Sequence, residues 1–176
     1  MLFQHVLTSA TQTLGSPYFT GAFLTLLGGV LAALLPGIGS ARAVGRVGSV
    51  VSGVLSEDPE KFGKLIVVQA LPGTQGIYGI LVWFFVLIFG GFLGGSPAEI
   101  SVLQGTMFFA ACMPMALVGY FSALYQGGVA ADGVSLVAKR PDQQSKALIL
   151  AAMVETYAIF ALLASVLSIL FVANVK

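Results

Sequence analysis

Four long apolar segments, separated by three short turns, set the pattern of this chain. The segments cover approximately residues 19–55, 65–89, 102–138 and 147–172. A helix needs ~20 apolar residues to cross a bilayer, and each segment meets that length. Because the connections are short, consecutive helices are expected to form antiparallel hairpins. The pattern therefore predicts an all-α membrane protein with four transmembrane helices.

The two hairpins read as copies of one unit. Shifting the first by 82 residues brings Pro59 onto Pro141, and other matches follow in the same register. Tandem duplication of one hairpin explains such a register. We therefore divide the chain into an N-terminal extension at 1–18, a first hairpin at 19–94 and a second hairpin at 95–176.

Composition narrows the class of protein. The chain has 176 residues, of which 57% are hydrophobic and 9% are charged, and its formal net charge is +1. This balance is typical of a membrane protein, and the lack of a basic stripe argues against nucleic-acid binding. The one cysteine, Cys112, lies in an apolar segment and is interpreted as a packing residue.

Basic residues predict the orientation of the hairpins in the cell membrane. Those near the first and third turns are Lys61, Lys64, Lys139, Arg140 and Lys146. The middle turn, 90–99, has no lysine or arginine. The positive-inside rule therefore places the turns at 56–64 and 139–146 in the cytoplasm and both termini outside.

One carboxylate lies within the fourth apolar segment. Glu155 follows Lys146 by nine residues, which is a helical rise of roughly 13 Å into a hydrocarbon layer ~30 Å thick. A charge at the bilayer centre costs ~2.5–3.5 kcal/mol on insertion scales, so this acid must be protonated, paired or bound to a cation. The equivalent position in the first hairpin is Gly73. The sequence thus predicts one ion-carrying acid per four helices.

Oxygen-bearing side chains on two other segments are expected near the depth of Glu155. They are Thr74, Gln75 and Tyr78, which share a helical face with Leu71, and Gln126 on the third segment. Hydroxyl, amide and carboxylate oxygens are the ligands that hard cations prefer, whereas a proton site does not require them. This favours a sodium site in which Tyr78 donates to Glu155. The alternative, that these side chains only satisfy one another between helices, stays open.

Small residues form a row on each odd-numbered segment. The rows are Gly37, Ala41, Gly45, Gly48 and Ser52 on the first, and Gly119, Ala123, Gly127 and Ala130 on the third. Such faces allow close packing, either within the chain or along the inner wall of an oligomer. The aromatic residues of the even-numbered segments, such as Trp83 and Phe85, are expected to face lipid. Where Arg42 and Arg46 point is left open.

Two motifs carry a resemblance to a known family. The stretches Leu71-Pro-Gly-Thr-Gln-Gly-Ile-Tyr78 and Met153-Val-Glu-Thr-Tyr157 are similar to those of the proteolipid subunits of bacterial V-type ATPases. These are the duplicated relatives of the single-hairpin rotor proteolipid of F-type ATP synthases. The resemblance covers residues 20–172. By this resemblance, the Na⁺ ligands would be the Leu71 carbonyl, Thr74, Gln75, Gln126 and Glu155, with Tyr78 bonded to Glu155.

The same resemblance implies a rotor. Copies of the chain would form a membrane ring surrounded by lipid, with the first and third helices inside. A membrane stator subunit with an essential arginine would displace the ion from Glu155, and central-stalk subunits would contact the cytoplasmic turns. No organic cofactor is implied.

Three other functions compete with a sodium rotor. The first is the same rotor carrying H⁺, the second is a small four-helix transporter or channel without a motor, and the third is a structural membrane scaffold. An enzyme with its own catalytic site is disfavoured, because the sequence contains neither G-x-x-x-x-G-K-[ST] nor H-E-x-x-H.

Overall fold

The computed structural model describes residues 20–94 and 100–175, and all the regular secondary structure among them is helical. The helices are α1 (Gly21–Glu57), α2 (Phe62–Ala70), α3 (Thr74–Phe89), α4 (Val102–Lys139) and α5 (Gln144–Ala173). The prediction of an all-α fold is thereby confirmed. The extension predicted at 1–18 lies outside the described residues.

Among the described residues, four helical stretches are long and apolar enough to cross a membrane, as predicted. Three of them are α1, α4 and α5, while α2 and α3 form the second span together with the 3-10 turn Leu71–Gly73 between them. The odd-numbered spans have 37 and 38 residues. Because ~20 residues suffice to cross the hydrocarbon layer, α1 and α4 are long enough to project beyond it.

The turns that follow α1 and α4 have the same backbone geometry. Each helix ends two residues before a proline, and a proline disfavours helical geometry in the residue that precedes it. Asp58 has φ −143° and ψ 85°, and Arg140, at the equivalent position, has φ −137° and ψ 81°. The predicted repeat is therefore present in the backbone as well as in the sequence.

The two equivalent turns are also bonded to each other. Lys61 Nζ donates to the Ala138 carbonyl at 2.9 Å, and Gln144 Nε2 donates to the Lys64 carbonyl at 3.2 Å. Lys61 also forms an ion pair with Asp58 at 2.8 Å. The hydrogen bond from Lys61 lowers the pKa of the Asp58 carboxyl. These contacts bring the turns predicted to be cytoplasmic to one end of the bundle.

Small residues bring α1 and α4 into close contact. A Cβ added at Gly127 would lie 2.6 Å from the Ala43 Cβ, and one added at Gly39 would lie 3.2 Å from the Ala123 Cβ. The predicted row on α4 thus packs within the chain. The row on α1 behaves differently, because a Cβ at Gly37 would meet nothing within 4 Å.

The aromatic residues of the even-numbered spans do not all face outward. Phe84, Phe160 and Phe171 are exposed on the protein surface, as expected. Trp83 and Phe85 are only partly exposed, which corrects the expectation that all of these side chains face lipid. Phe85 packs against the buried core, and Trp83 lies beside Gly29 on α1, where the missing side chain leaves room for the indole.

Gly127→Val should destabilise the bundle, because the added side chain would overlap Ala43. Overpacking of this kind costs ~1–3 kcal/mol, so the thermal unfolding temperature of the purified protein should fall. Gly53→Val is the matched control, since a Cβ at Gly53 on α1 would meet nothing within 4 Å. Equal losses for the two variants would show that helix propensity, and not contact between α1 and α4, controls stability.

Candidate functional site

The second span breaks its α-helical hydrogen bonding within the predicted Leu71–Tyr78 motif. Pro72 has no N–H to donate, and residues Leu71–Gly73 form a 3-10 turn between α2 and α3. The Thr74 N–H and hydroxyl both donate to the Leu71 carbonyl, the hydroxyl at 3.1 Å. The break therefore puts a carbonyl and a hydroxyl oxygen side by side.

Two buried glutamines connect this break to α4. Gln75 Nε2 donates to Gln126 Oε1 at 2.5 Å, and the Thr74 hydroxyl lies 3.5 Å from Gln75 Oε1. Both glutamine side chains are fully buried. Gln126 Nε2 also donates to the Ala151 carbonyl on α5 at 3.2 Å. The amides thus connect three spans through side-chain oxygens and nitrogens.

Glu155 completes the cluster from α5. Tyr78 Oη donates to Glu155 Oε1 at 2.6 Å, and Gln126 Nε2 donates to Oε2 at 3.4 Å. The carboxylate is partly buried. The two ion pairs formed by described residues, Asp58–Lys61 and Arg140–Asp142, both lie in the turns. Neutral hydrogen-bond donors therefore stabilise this carboxylate in place of a lysine or arginine.

Two serines that were not among the predicted site residues, Ser40 and Ser122, also adjoin the cluster, and they occupy equivalent positions in the two repeats. Ser122 Oγ accepts from Gln75 Nε2 at 3.4 Å and donates to the Val154 carbonyl on α5 at 3.1 Å. Ser40 Oγ accepts from the Gly76 N–H at 3.0 Å. The available signal was the retention of serine at the same position in both repeats, within faces that otherwise carry small apolar residues.

The arginines of α1 lie away from this cluster. Arg42 and Arg46 are exposed, and Arg42 Nη1 donates to the Tyr120 hydroxyl at 3.0 Å. Arg42 is two residues beyond Ser40, which is roughly 160° around a helix with ~100° per residue. Because Ser40 contacts α3, the Arg42 side chain begins on the other side of α1.

The donor set suits a hard monovalent cation. It offers a carbonyl, a hydroxyl, two amide oxygens and a carboxylate, and only the carboxylate is charged. Within the described residues no group of three His, Cys, Asp or Glu side chains could hold a metal ion. One carboxylate among neutral oxygen atoms is compatible with a proton or with a small cation that prefers oxygen ligands.

Both hairpins match one known family. Residues 27–86 match the family of the ATP synthase C subunit, and residues 109–168 match it again. The chain belongs to this family. The two matches start at residues 27 and 109, a difference of 82 residues, which confirms the tandem duplication in the register expected from the sequence.

Two relatives are similar to this chain over most of its length. It is 41% identical to the V-type sodium ATPase subunit K of Enterococcus hirae over 150 residues, 85% of this chain and 92% of the relative. It is also 38% identical over 144 residues, 82% of this chain, to the A-type ATP synthase subunit K of Methanocaldococcus jannaschii, of which the match spans 60%. The resemblance to rotary-ATPase proteolipids is thereby confirmed.

The two buried amides should be energetically coupled. Gln126→Leu leaves Gln75 Nε2 without its shortest hydrogen bond, and an unsatisfied buried amide costs ~1–3 kcal/mol. Gln75→Leu should have a similar effect on the free energy of unfolding. The double variant should be less destabilised than the sum, by about 1 kcal/mol in a double-mutant cycle. Strict additivity would contradict the contact.

Proposed function

We propose that this chain is the rotor proteolipid of a rotary V/A-type ATPase and carries Na⁺ at Glu155. The observation that carries the proposal is the cluster in which Glu155 meets Tyr78 and Gln126 while Gln75 and Thr74 adjoin them. Family membership supports the rotor, and the cluster supports the ion. The Leu71 carbonyl is the fifth proposed ligand, with Tyr78 as hydrogen-bond donor to the acid.

The surplus of oxygen atoms favours sodium over a proton. A protonated carboxyl has one O–H to donate, and a single neighbouring oxygen atom would accept it. Thr74, Gln75 and Gln126 add polar groups inside an apolar bundle, where each must be compensated. Binding of a cation that needs several oxygen ligands would explain why these polar groups are present. The Enterococcus hirae relative is a sodium ATPase subunit, which agrees with this choice.

Charge neutrality would couple ion transfer to rotation. With Na⁺ bound, the Glu155 site is neutral overall and can pass through an apolar surrounding. Emptied, it is a partly buried anion, which is disfavoured in lipid by several kcal/mol on some estimates. The empty site is stable only beside a cation or in water, as at a stator arginine or an aqueous half-channel. Each acid must therefore bind its ion before it leaves the stator.

The proposed orientation has the turns at 56–64 and 139–146 in the cytoplasm and both termini outside. Five basic residues lie in or at the edges of these turns. The bonds from Lys61 to Ala138 and from Gln144 to Lys64 hold the turns together at one end. This common end would contact the central stalk. A motor-independent transporter would require neither this paired surface nor the family's ring.

Carbodiimide labelling of Glu155 tests the ion. Carbodiimides react with the protonated acid, whereas sodium binds the carboxylate, so sodium should suppress labelling. At a sodium concentration ten times Kd, the labelling rate should fall ~10-fold. The measurement is labelling of the purified ring across pH with NaCl or equal KCl, and Glu155→Gln identifies the labelled residue. Dependence on pH alone would assign the site to H⁺.

Ser122→Ala should weaken sodium binding without removing a proposed ligand. The hydroxyl positions the Gln75 amide, and losing one hydrogen bond of ~0.5–1.5 kcal/mol corresponds to a ~2–10-fold higher Kd. The matched control is Ser165→Ala, because Ser165 is also buried and accepts from the Met115 N–H at 3.1 Å between α4 and α5. Equal weakening in sodium titrations would assign the effect to general packing.

A further inference from the structure

Ser40 is the point at which the first span contacts the broken backbone of the second. The first N–H groups of a helix have no acceptor within that helix, and α3 begins at Thr74, directly after the 3-10 turn. The N–H of Gly76, in the first turn of α3, donates to Ser40 Oγ on α1 at 3.0 Å. Between the described residues, no other hydrogen bond joins α1 to the second span.

Glycines hold this part of α3 close to α1. A Cβ added at Gly76 would lie 3.5 Å from the Ser40 Cβ, and one added at Gly79 would overlap the Ala32 carbonyl. Missing side chains of this kind let two helix backbones approach closely. Ser40 is buried, so its hydroxyl and the Gly76 N–H are enclosed between the two helices.

The proposed ligands lie directly before the bonded N–H in the chain. The Leu71 carbonyl accepts from the Thr74 hydroxyl at 3.1 Å, and that hydroxyl lies 3.5 Å from Gln75 Oε1. Gln75 is followed immediately by Gly76. A binding site needs supporting contacts that hold its ligands to within ~0.5 Å. If the first turn of α3 moved away from α1, these oxygen atoms would move relative to Glu155.

The second repeat has the same serine beside an unbroken helix. Ser122 is the repeat equivalent of Ser40, and Val154 is the equivalent of Pro72. The helix α5 runs without interruption over Gln144–Ala173. There, Ser122 Oγ donates to the Val154 carbonyl at 3.1 Å. Acceptance of a backbone N–H by Ser40 therefore goes with the proline break in the second span.

Another proline is paired with a serine in the same way. Pro114 lies inside α4, and the next residue, Met115, donates its N–H to Ser165 Oγ on α5 at 3.1 Å. Ser165 follows Glu155 by ten residues, which is roughly 15 Å along the helix. It therefore makes the same kind of contact as Ser40 at a distance from the ion site.

The geometry points to Ser40 as a positioning residue of the ion site. Its hydroxyl holds the first turn of α3 against α1 and thereby sets where the oxygen atoms of Leu71, Thr74 and Gln75 lie relative to α5. The inference rests on the proposed sodium function. It adds to that function a residue of the first span, which supplies none of the proposed ligands.

Sodium protection of Glu155 against carbodiimide in the purified ring tests this role. Ser40→Ala should raise the sodium concentration that halves the labelling rate by ~2–10-fold, the range expected for the loss of one hydrogen bond. Ser165→Ala is the matched control, and it should leave that concentration unchanged. The thermal unfolding temperature should fall by similar amounts in both variants, so that lost stability does not account for the difference.

A double-variant cycle with Thr74→Ala determines whether Ser40 acts through the ligands. Ser40→Ala should weaken sodium binding less in the Thr74→Ala background than in the wild type, because part of what Ser40 positions is already absent. In the same background, Ser165→Ala should still have no effect. An equal fold-change from Ser40→Ala in both backgrounds would contradict the positioning role.

The wild-type protein separates this inference from the proposed function. If sodium protects the wild type and Ser40→Ala equally, the positioning role is overturned while the proposed function stands. Equal weakening by Ser40→Ala and Ser165→Ala would have the same consequence. A wild type that sodium does not protect would overturn the proposed sodium function, and this inference with it.

Discussion

A carboxylate that has no lysine or arginine beside it is the constraint on which the arrangement of the four spans depends. Glu155 is stabilised by the Tyr78 hydroxyl and the Gln126 amide, and Gln126 in turn accepts from Gln75. Under the proposed function, neutral partners would let the carboxylate exchange its ion, whereas a permanent ion pair with lysine or arginine would compete with that ion.

Close packing by small residues is what makes this cluster geometrically possible. Gln75 lies on α3 and Gln126 on α4, and both of these helices pack closely against α1. Glycines at the two contacts allow that approach: Gly79 lies against the Ala32 carbonyl, and Gly127 lies against Ala43. The 3-10 turn at Pro72 then shifts the second span so that carbonyl, hydroxyl and amide oxygens face the same point. The close packing of the helices and the hydrogen bonds of the cluster therefore depend on each other.

Much of the fold and part of the candidate site were predictable, because they follow from patterns that can be read along the sequence. Span number follows from apolar length, the duplication follows from an 82-residue register, and the face shared by Thr74, Gln75 and Tyr78 follows from helical spacing. The roles of Ser40 and Ser122 did not follow, because a serine on a small-residue face has the same local pattern whether or not it bonds another span. The direction in which Trp83 points was missed for the same reason: it depends on the space beside Gly29.

Divergence between the repeats explains why four spans would hold a single ion. An 82-residue shift gives the repeat equivalents of the cluster residues. Glu155 corresponds to Gly73, Gln126 to Val44 and Gln75 to Tyr157. That second position keeps a hydroxyl at Thr156 but has lost the charge and both amides, so it has no means of holding a cation in an apolar surrounding. In the proposed rotor, the free energy of one revolution would be divided among half as many ions as there are hairpins. Each ion would then receive a larger share, so that it could be moved against a steeper gradient.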